Sequence, residues 1–316
     1  MKAERRRETT GGKEQQRRLP LHHSCVFVLA LLCLSVVPSN AMQRLARVAV
    51  LDLGVTEMAQ RVADELAFSL TKTDSLSLVN RAQARAAARG VGYTGSLNLT
   101  LAEARDLGAA IGCDFFITGE AQTLRRTSSA RPVYFESYAS LFFVSARTGK
   151  LILWDQPDAE AATPEEAERI LSEQLRARFD RYVEALHKAQ RDERQEKLAA
   201  LERDGDAIII EEAPEEDSPA AASFRPPHPF RRLRPAYTAA AARVEAEATV
   251  DVLVEIDAEG EVQNIEVIRW AGYGLNESVA EIVRRMHFRP AMRDGAPVPV
   301  RFLLRYNFRR PVKQTG

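Results

Sequence analysis

Residues 248–308 read ATVDVLVEIDAEGEVQNIEVIRWAGYGLNESVAEIVRRMHFRPAMRDGAPVPVRFLLRYNF. From position 249 to 256 polar and apolar residues alternate, with Val250, Val252, Val254 and Ile256 on one face. A period of two marks a half-buried strand. Asp257-Ala258-Glu259-Gly260 is turn chemistry, in which glycine takes a positive φ at no steric cost. A second strand is expected over 261–270. Asn276 reads as the N-cap of a short helix whose buried stripe is Val279, Ile282, Val283 and Met286. Phe288-Arg289-Pro290-Ala291 ends that helix, because proline pushes the residue before it out of the helical region. Asp294-Gly295 is a turn pair, and Val300, Phe302, Leu304, Tyr306 and Phe308 alternate down a last strand. The order strand, turn, strand, helix, turn, strand predicts a small α+β domain.

Four pieces of this region, in this order, resemble the C-terminal domain of TonB-family energy transducers. They are Pro235-Ala236-Tyr237 ahead of the domain, the hairpin at 250–262 with its Asp-x-x-Gly turn, Phe288-Arg289-Pro290-Ala291 followed by Gly295, and Tyr306-Asn307-Phe308 in the closing strand. The resemblance implies a domain that grips a short extended segment of an outer-membrane receptor or another envelope protein. Strand addition is the physics: an edge strand has unpaired N–H and C=O groups, and a peptide completes the ladder. The closing strand is expected at the sheet edge, being last in the chain and carrying arginines on its outer face. Arg301, Leu303, Arg305 and Asn307 are therefore the expected partner-binding residues, with the two arginines favouring acidic or polar side chains in the bound peptide. The resemblance also implies an inner-membrane energising complex as partner, if the N-terminal segment is retained.

That segment reads as an export signal. Arg5, Arg6, Arg7, Lys13, Arg17 and Arg18 are followed by a nearly continuous apolar run at 25–37, and then by Pro38-Ser39-Asn40-Ala41, small residues where a signal peptidase reads. The run makes only about 20 Å of helix against a hydrocarbon core of ~30 Å. Residues 1–41 are therefore expected to be a cleaved signal in preference to a retained anchor, and the periplasm is the expected compartment. Cys25 and Cys33 lie inside this segment, which leaves Cys113 without a disulfide partner. Next to Phe115-Phe116-Ile117 it reads as a buried, inert thiol.

Between signal and C-terminal domain the order is β, α, β, α, α, β, β, β. It starts with the apolar run at 47–53 and ends with Leu151-Ile152-Leu153-Trp154. Crossover helices mixed with hairpins predict a mixed α/β sheet domain over 42–160. Val48-Ala49-Val50-Leu51-Asp52, Leu78-Val79-Asn80-Arg81, and Leu107-Gly108 with Cys113-Asp114 and Gly119 resemble the N-terminal domain of TolB and CsgG-like periplasmic proteins. Thr163-Pro164-Glu165-Glu166 then opens a long helix over 161–205, with Leu171, Leu175, Phe179, Tyr182 and Leu186 on one stripe. Its first half should pack on the sheet and its polar second half project into solvent. Residues 206–235 are acidic, then proline-rich, which is linker composition, and 236–316 complete the C-terminal domain. The whole is expected to be α+β, with two halves folding independently.

Enzymatic chemistry finds little support. Gly90-Val91-Gly92-Tyr93-Thr94-Gly95 matches a dinucleotide fingerprint by spelling, but it follows a helix and not a strand, so a loop is expected. His187, His228 and His287 are scattered one per region, so no metal site is expected. No nucleophile motif surrounds Ser140 or Ser145, and Asp52 reads as a turn-capping carboxylate at least as readily as a catalytic one. Acidic and basic residues balance at 44 each, and nothing suggests nucleic acid. Trp270 reads equally as an exposed contact or as rim packing. The expected function is non-enzymatic, without cofactor: a periplasmic TonB-family protein binding an outer-membrane receptor segment, with a role in TonB-dependent transport. The alternative is an envelope assembly or regulatory module whose N-terminal domain does the work.

Overall fold

The apolar run at 47–53 becomes strand β1 (Ala46–Val50), which lies between two parallel neighbours, β2 (Leu76–Leu78) and β3 (Phe115–Arg126). The computed structural model describes residues 45–127, 129, 133–202, 210–215 and 217–310; the expected signal at 1–41 lies outside them. Strand β3 pairs antiparallel with β4 (Tyr134–Ser145) along its whole length. The far side of β4 is covered first by β5 (Leu151–Asp155) and then by β6 (Asp158–Ala161). The sheet order is β2-β1-β3-β4-β5, the mixed sheet expected from the element order.

Each helix start has its local cause. Helix α1 (Glu57–Thr71) is capped by Thr56, whose hydroxyl accepts from Ala59 N at 3.1 Å. Helix α2 (Arg81–Gly90) is capped by Asn80, whose Oδ1 accepts from Ala82 N and Gln83 N. Helix α3 (Leu101–Ile111) has the Thr100–Glu103 capping box. Helix α4 (Pro164–Glu202) begins with Thr163 Oγ1 accepting from Glu166 N.

The two faces of the sheet are buried differently. On one, Val48, Val50, Phe115, Ile117, Leu141 and Phe143 pack under α1 and under Leu171, Leu175, Tyr182 and Leu186 of α4. Packing of α4 continues to Glu193, which accepts from Ser145 Oγ and from Arg147 Nε; beyond it, residues 194–198 are exposed. On the other face, α2 and α3 cover only Ala49, Leu51 and Phe116 with their neighbours, and Phe142 is covered by the C-terminal half.

That half is a second sheet. Strand β7 (Glu211–Glu212) leads it, followed by β8 (Phe224–Arg225), β9 (His228–Pro229) and a short helix α5 (Ala239–Arg243). Then come β10 (Ala248–Ile256), β11 (Val262–Arg269) and helix α6 (Leu275–Arg284). The end of the chain adds β12 (Phe288–Arg289), β13 (Ala291–Arg293), β14 (Ala296–Val298) and β15 (Val300–Phe308). The sheet order is β11-β10-β15-β7, with α6 on one face through Leu275, Val279 and Val283. The molecule is α+β.

Several expectations are corrected. Asn276 is not the N-cap: Gly274 holds that place, and Asn276 sits in the first turn, where its Oδ1 accepts from Ala271 N at 2.9 Å. The proline-rich stretch is not a free linker. Its strands pair with the C-terminal half, β8 with β13, β9 with β12 and β7 with β15. Nor do the halves stand apart: the described residues from 45 to 310 fall in one compact unit, and a single hydrophobic core runs from Ala49 and Phe142 to Val250 and Trp270.

Trp270 is 1% exposed, far from a rim position. Its ring lies 5.8 Å from that of Phe142, and its Nε1 donates to Gly149 O at 3.0 Å. Asn98 closes the same junction, donating from Nδ2 to Thr249 O and to Trp270 O, both at 2.7 Å. Tyr273 packs edge-on against Phe142 and Trp154, and its hydroxyl donates to Glu120 Oε1 at 3.0 Å.

Candidate functional site

Strand β15 pairs with β10 along its whole length, Ala248 opposite Phe308 through to Ile256 opposite Val300. Its other side is different. There β7 runs parallel for two residues, and Ala213 N donates to Arg301 O at 2.9 Å. The chain then reaches Pro214 and leaves the edge. Among the described residues, no backbone group bonds to that side of β15 beyond Arg301. In a strand the N–H and C=O of one residue point the same way, and successive residues alternate. Since Arg301 O faces outward, so do the backbone groups of Leu303, Arg305 and Asn307. Contrary to the expectation from the sequence, the closing strand is thus not the outermost strand of its sheet: β7 flanks it at Val300 and Arg301, and only the part beyond lacks a neighbouring strand among the described residues.

Side chains alternate as the sequence indicates. Val300 and Phe308 are buried, and Phe302, Leu304 and Tyr306 half-buried, whereas Leu303, Arg305 and Asn307 are exposed. The arginines, however, are engaged within the domain. Arg301 Nε donates to Glu255 Oε1 at 2.8 Å, and Arg305 Nε and Nη2 donate to Asp251 at 2.7 and 3.0 Å. Both carboxylates sit directly across the ladder, on β10, and are nearly buried. A buried carboxylate needs a counter-charge, so these guanidinium groups complete the sheet face. Asn307 Oδ1 likewise accepts from Thr249 Oγ1 at 2.8 Å.

Beside the open edge lies a groove of about 1320 Å³. Phe302, Tyr306 and Met286 line it on the strand side, and Phe224, Leu233 and Pro235 on the other. The far wall is the stretch read from sequence as linker, so its residues were missed as part of a site. Their one sequence signal is a run of arginines without acidic residues, which carries no hint of what it faces.

Residues 234–309 match the family model of the Gram-negative bacterial TonB protein C-terminal. The match takes in α5, the β10–β11 hairpin, α6 and the closing strand of this TonB-like region. Remote likenesses to solved structures exist. The TonB C-terminal domain of Pseudomonas aeruginosa is 20% identical over 29% of this chain and 92% of its own, with a TM-score of 0.24. The hypothetical protein CT253 of Chlamydia trachomatis is 15% identical over 44% of this chain and 98% of its own, at 0.31. The lipoprotein GNA1162 of Neisseria meningitidis is 12% identical over 44% and 99%, at 0.32. No curated protein matches the chain.

The other singled-out residues have structural partners. Asp52 accepts from Arg85 Nη2 at 2.7 Å and lies 3.5 Å from Arg81 Nη2. His187 Nε2 is 2.9 Å from Ser75 Oγ, and His287 Nδ1 is 2.9 Å from Glu261. Burial pushes the Cys113 thiol up to about 12, which keeps it protonated. Gly90 ends α2, and Gly92 and Gly95 lie in the loop that follows, where the Tyr93 hydroxyl meets Thr118 Oγ1 at 2.8 Å. Among the described residues no cluster of His, Cys, Asp and Glu is arranged to hold a metal, and no helix is long and apolar enough to cross a membrane.

Proposed function

We propose that this protein is a non-enzymatic interaction module of the bacterial envelope, and that it takes up an extended segment of a partner by strand addition on β15. One observation carries the reading: among the described residues, nothing pairs with the outward backbone groups of Leu303, Arg305 and Asn307, which stand beside a groove. An open ladder edge supplies direction and affinity through main-chain bonds, and the groove supplies side-chain contacts. The TonB-family match supports an outer-membrane receptor or another envelope protein as the partner, and the periplasm as the compartment.

Transport coupled to an inner-membrane energising complex would need a free spacer. Glu211–Glu212, Phe224–Arg225 and His228–Pro229 are instead paired with strands of the C-terminal half, which favours binding over force transmission. The TolB- and CsgG-like reading of the N-terminal half fits the same picture, as a platform that presents the binding edge.

Proline separates the two sides of β15. At Leu303 it removes an outward N–H, which an edge tolerates; at Leu304 it removes one that faces β10. Leu303→Pro should keep its circular dichroism spectrum and lose the envelope partners recovered by the wild type. Leu304→Pro should unfold the C-terminal half. A folded Leu303→Pro protein that recovers the same partners would overturn the reading.

A further inference from the structure

The groove beside β15 is electrically one-sided. From Ser218 to Val244 the chain has no Asp or Glu, but it carries Arg225, Arg231, Arg232, Arg234 and Arg243. Arg232 and Arg234 line the groove and are exposed. Arg243, Arg293, Arg301 and Arg305 are each held by a carboxylate, whereas among the described residues Arg232 and Arg234 form no ion pair. Glu215 is the single acidic side chain on the described lining. The Arg232 charge also reaches the strand, where it acts on the Tyr306 phenol against the effect of burial.

A second observation comes from the part of the edge that is already covered. The segment already laid on it is acidic: Glu211-Glu212 pairs with Val300 and Arg301, and Glu211 Oε2 accepts from Arg293 Nε at 3.0 Å. The ladder stops where Pro214 turns the chain away, and the remaining edge, 303–307, has no neighbouring strand among the described residues. At about 3.3 Å per residue it offers roughly 17 Å of ladder.

We propose that the segment received on this edge is acidic, and that Arg232 and Arg234 select it from the opposite wall. The proposal rests on the strand-addition reading. It moves the selecting charge from Arg301 and Arg305, which serve Glu255 and Asp251, to two arginines that form no ion pair among the described residues. A second copy of the chain fits poorly, because its own edge would bring the same arginines against these.

The test uses the full chain and three labelled synthetic peptides, followed by fluorescence anisotropy. The first alternates glutamate with valine; the others replace each glutamate with glutamine or with lysine. The acidic peptide should bind about tenfold more tightly than the glutamine peptide, and more weakly as salt is raised. Arg232→Glu/Arg234→Glu should weaken the acidic peptide about tenfold and turn the preference toward lysine. Equal affinity for the acidic and glutamine peptides, or no effect of the charge reversal, would overturn the proposal. If Leu303→Pro still abolished binding of both peptides in that case, strand addition would stand and only the acidic selection would fall. A folded Leu303→Pro protein that binds the acidic peptide as the wild type does would sink strand addition and the proposal together. Failure of the wild type to bind any peptide would overturn the proposal as well. Sedimentation as a dimer that Leu303→Pro dissolves would then show a second copy on the edge.

Discussion

Trp270 closes the junction between the halves, and its surroundings leave little room for change. It stacks on Phe142 and donates to Gly149 O, and Gly272 beside it has φ +67. A Cβ at Gly272 would come within 2.3 Å of Phe142 Cε1 and 2.9 Å of Trp154 Cδ1. Trp270→Ala should therefore cost about 3–5 kcal/mol, as for a fully buried aromatic, seen as a lower urea midpoint. A loss below about 1 kcal/mol would mean that the junction contributes little.

Glu120 sits at the same junction. Burial holds its carboxyl above the ordinary glutamate value of 4.5, with the hydroxyls of Tyr273 and Tyr138 opposing. A carboxyl whose folded pKa is raised stabilises fully below its unfolded pKa and loses that contribution as pH rises through the folded one. Stability of the wild type should thus decline as pH climbs from about 4.5, and Glu120→Gln should flatten that part of the profile. Parallel urea profiles for the two proteins would exclude Glu120 as its source.

At the scale of elements, α4 is divided by what it touches. Leu171, Leu175, Tyr182 and Leu186 are buried against the sheet, whereas Arg191 and Glu196 are exposed. Leu175→Ala should cost ~2–5 kcal/mol, and Glu196→Ala should stay within ~0.5 kcal/mol. Equal costs in denaturant melts would point to a partner against the outer part of the helix. The stripe spacing and the Thr163 cap made this helix legible in the sequence, because both depend on residues within a turn or two. The same holds for the β10–β11 hairpin, where Asp257 Oδ1 accepts from Glu259 N and Glu261 N. Asn276 misled because asparagine is a common cap; here a contact with Ala271 took its side chain inward.

For the whole molecule, the shared core predicts cooperative unfolding of residues 45–316. Trp154 and Trp270 both lie at the junction, so tryptophan fluorescence reports on docking and far-ultraviolet circular dichroism on the whole. The two should give one coincident urea transition. Separate midpoints would show that the halves melt independently. The C-terminal half expressed alone should expose Trp270 and Tyr273 and bind a hydrophobic dye.

What the sequence determined by itself was the identity and order of most elements, the alternation along β15 and the TonB-like character of 234–309. Those follow from periodicity and turn chemistry, which act between near neighbours. Leu141-Phe142-Phe143-Val144 has apolar side chains on successive residues, which in a strand point to both faces. Only the tertiary structure decided what covers the second face. Phe142 meets Trp270, and Asn98 meets Thr249, across more than a hundred residues of chain. It also decided that the arginines of β15 are spent on Asp251 and Glu255, while those of the proline-rich wall remain unpaired by carboxylates among the described residues. Charge and apolar surface are visible in a sequence. Their partners are set by the shapes of two sheets meeting in space, and no local pattern encodes that.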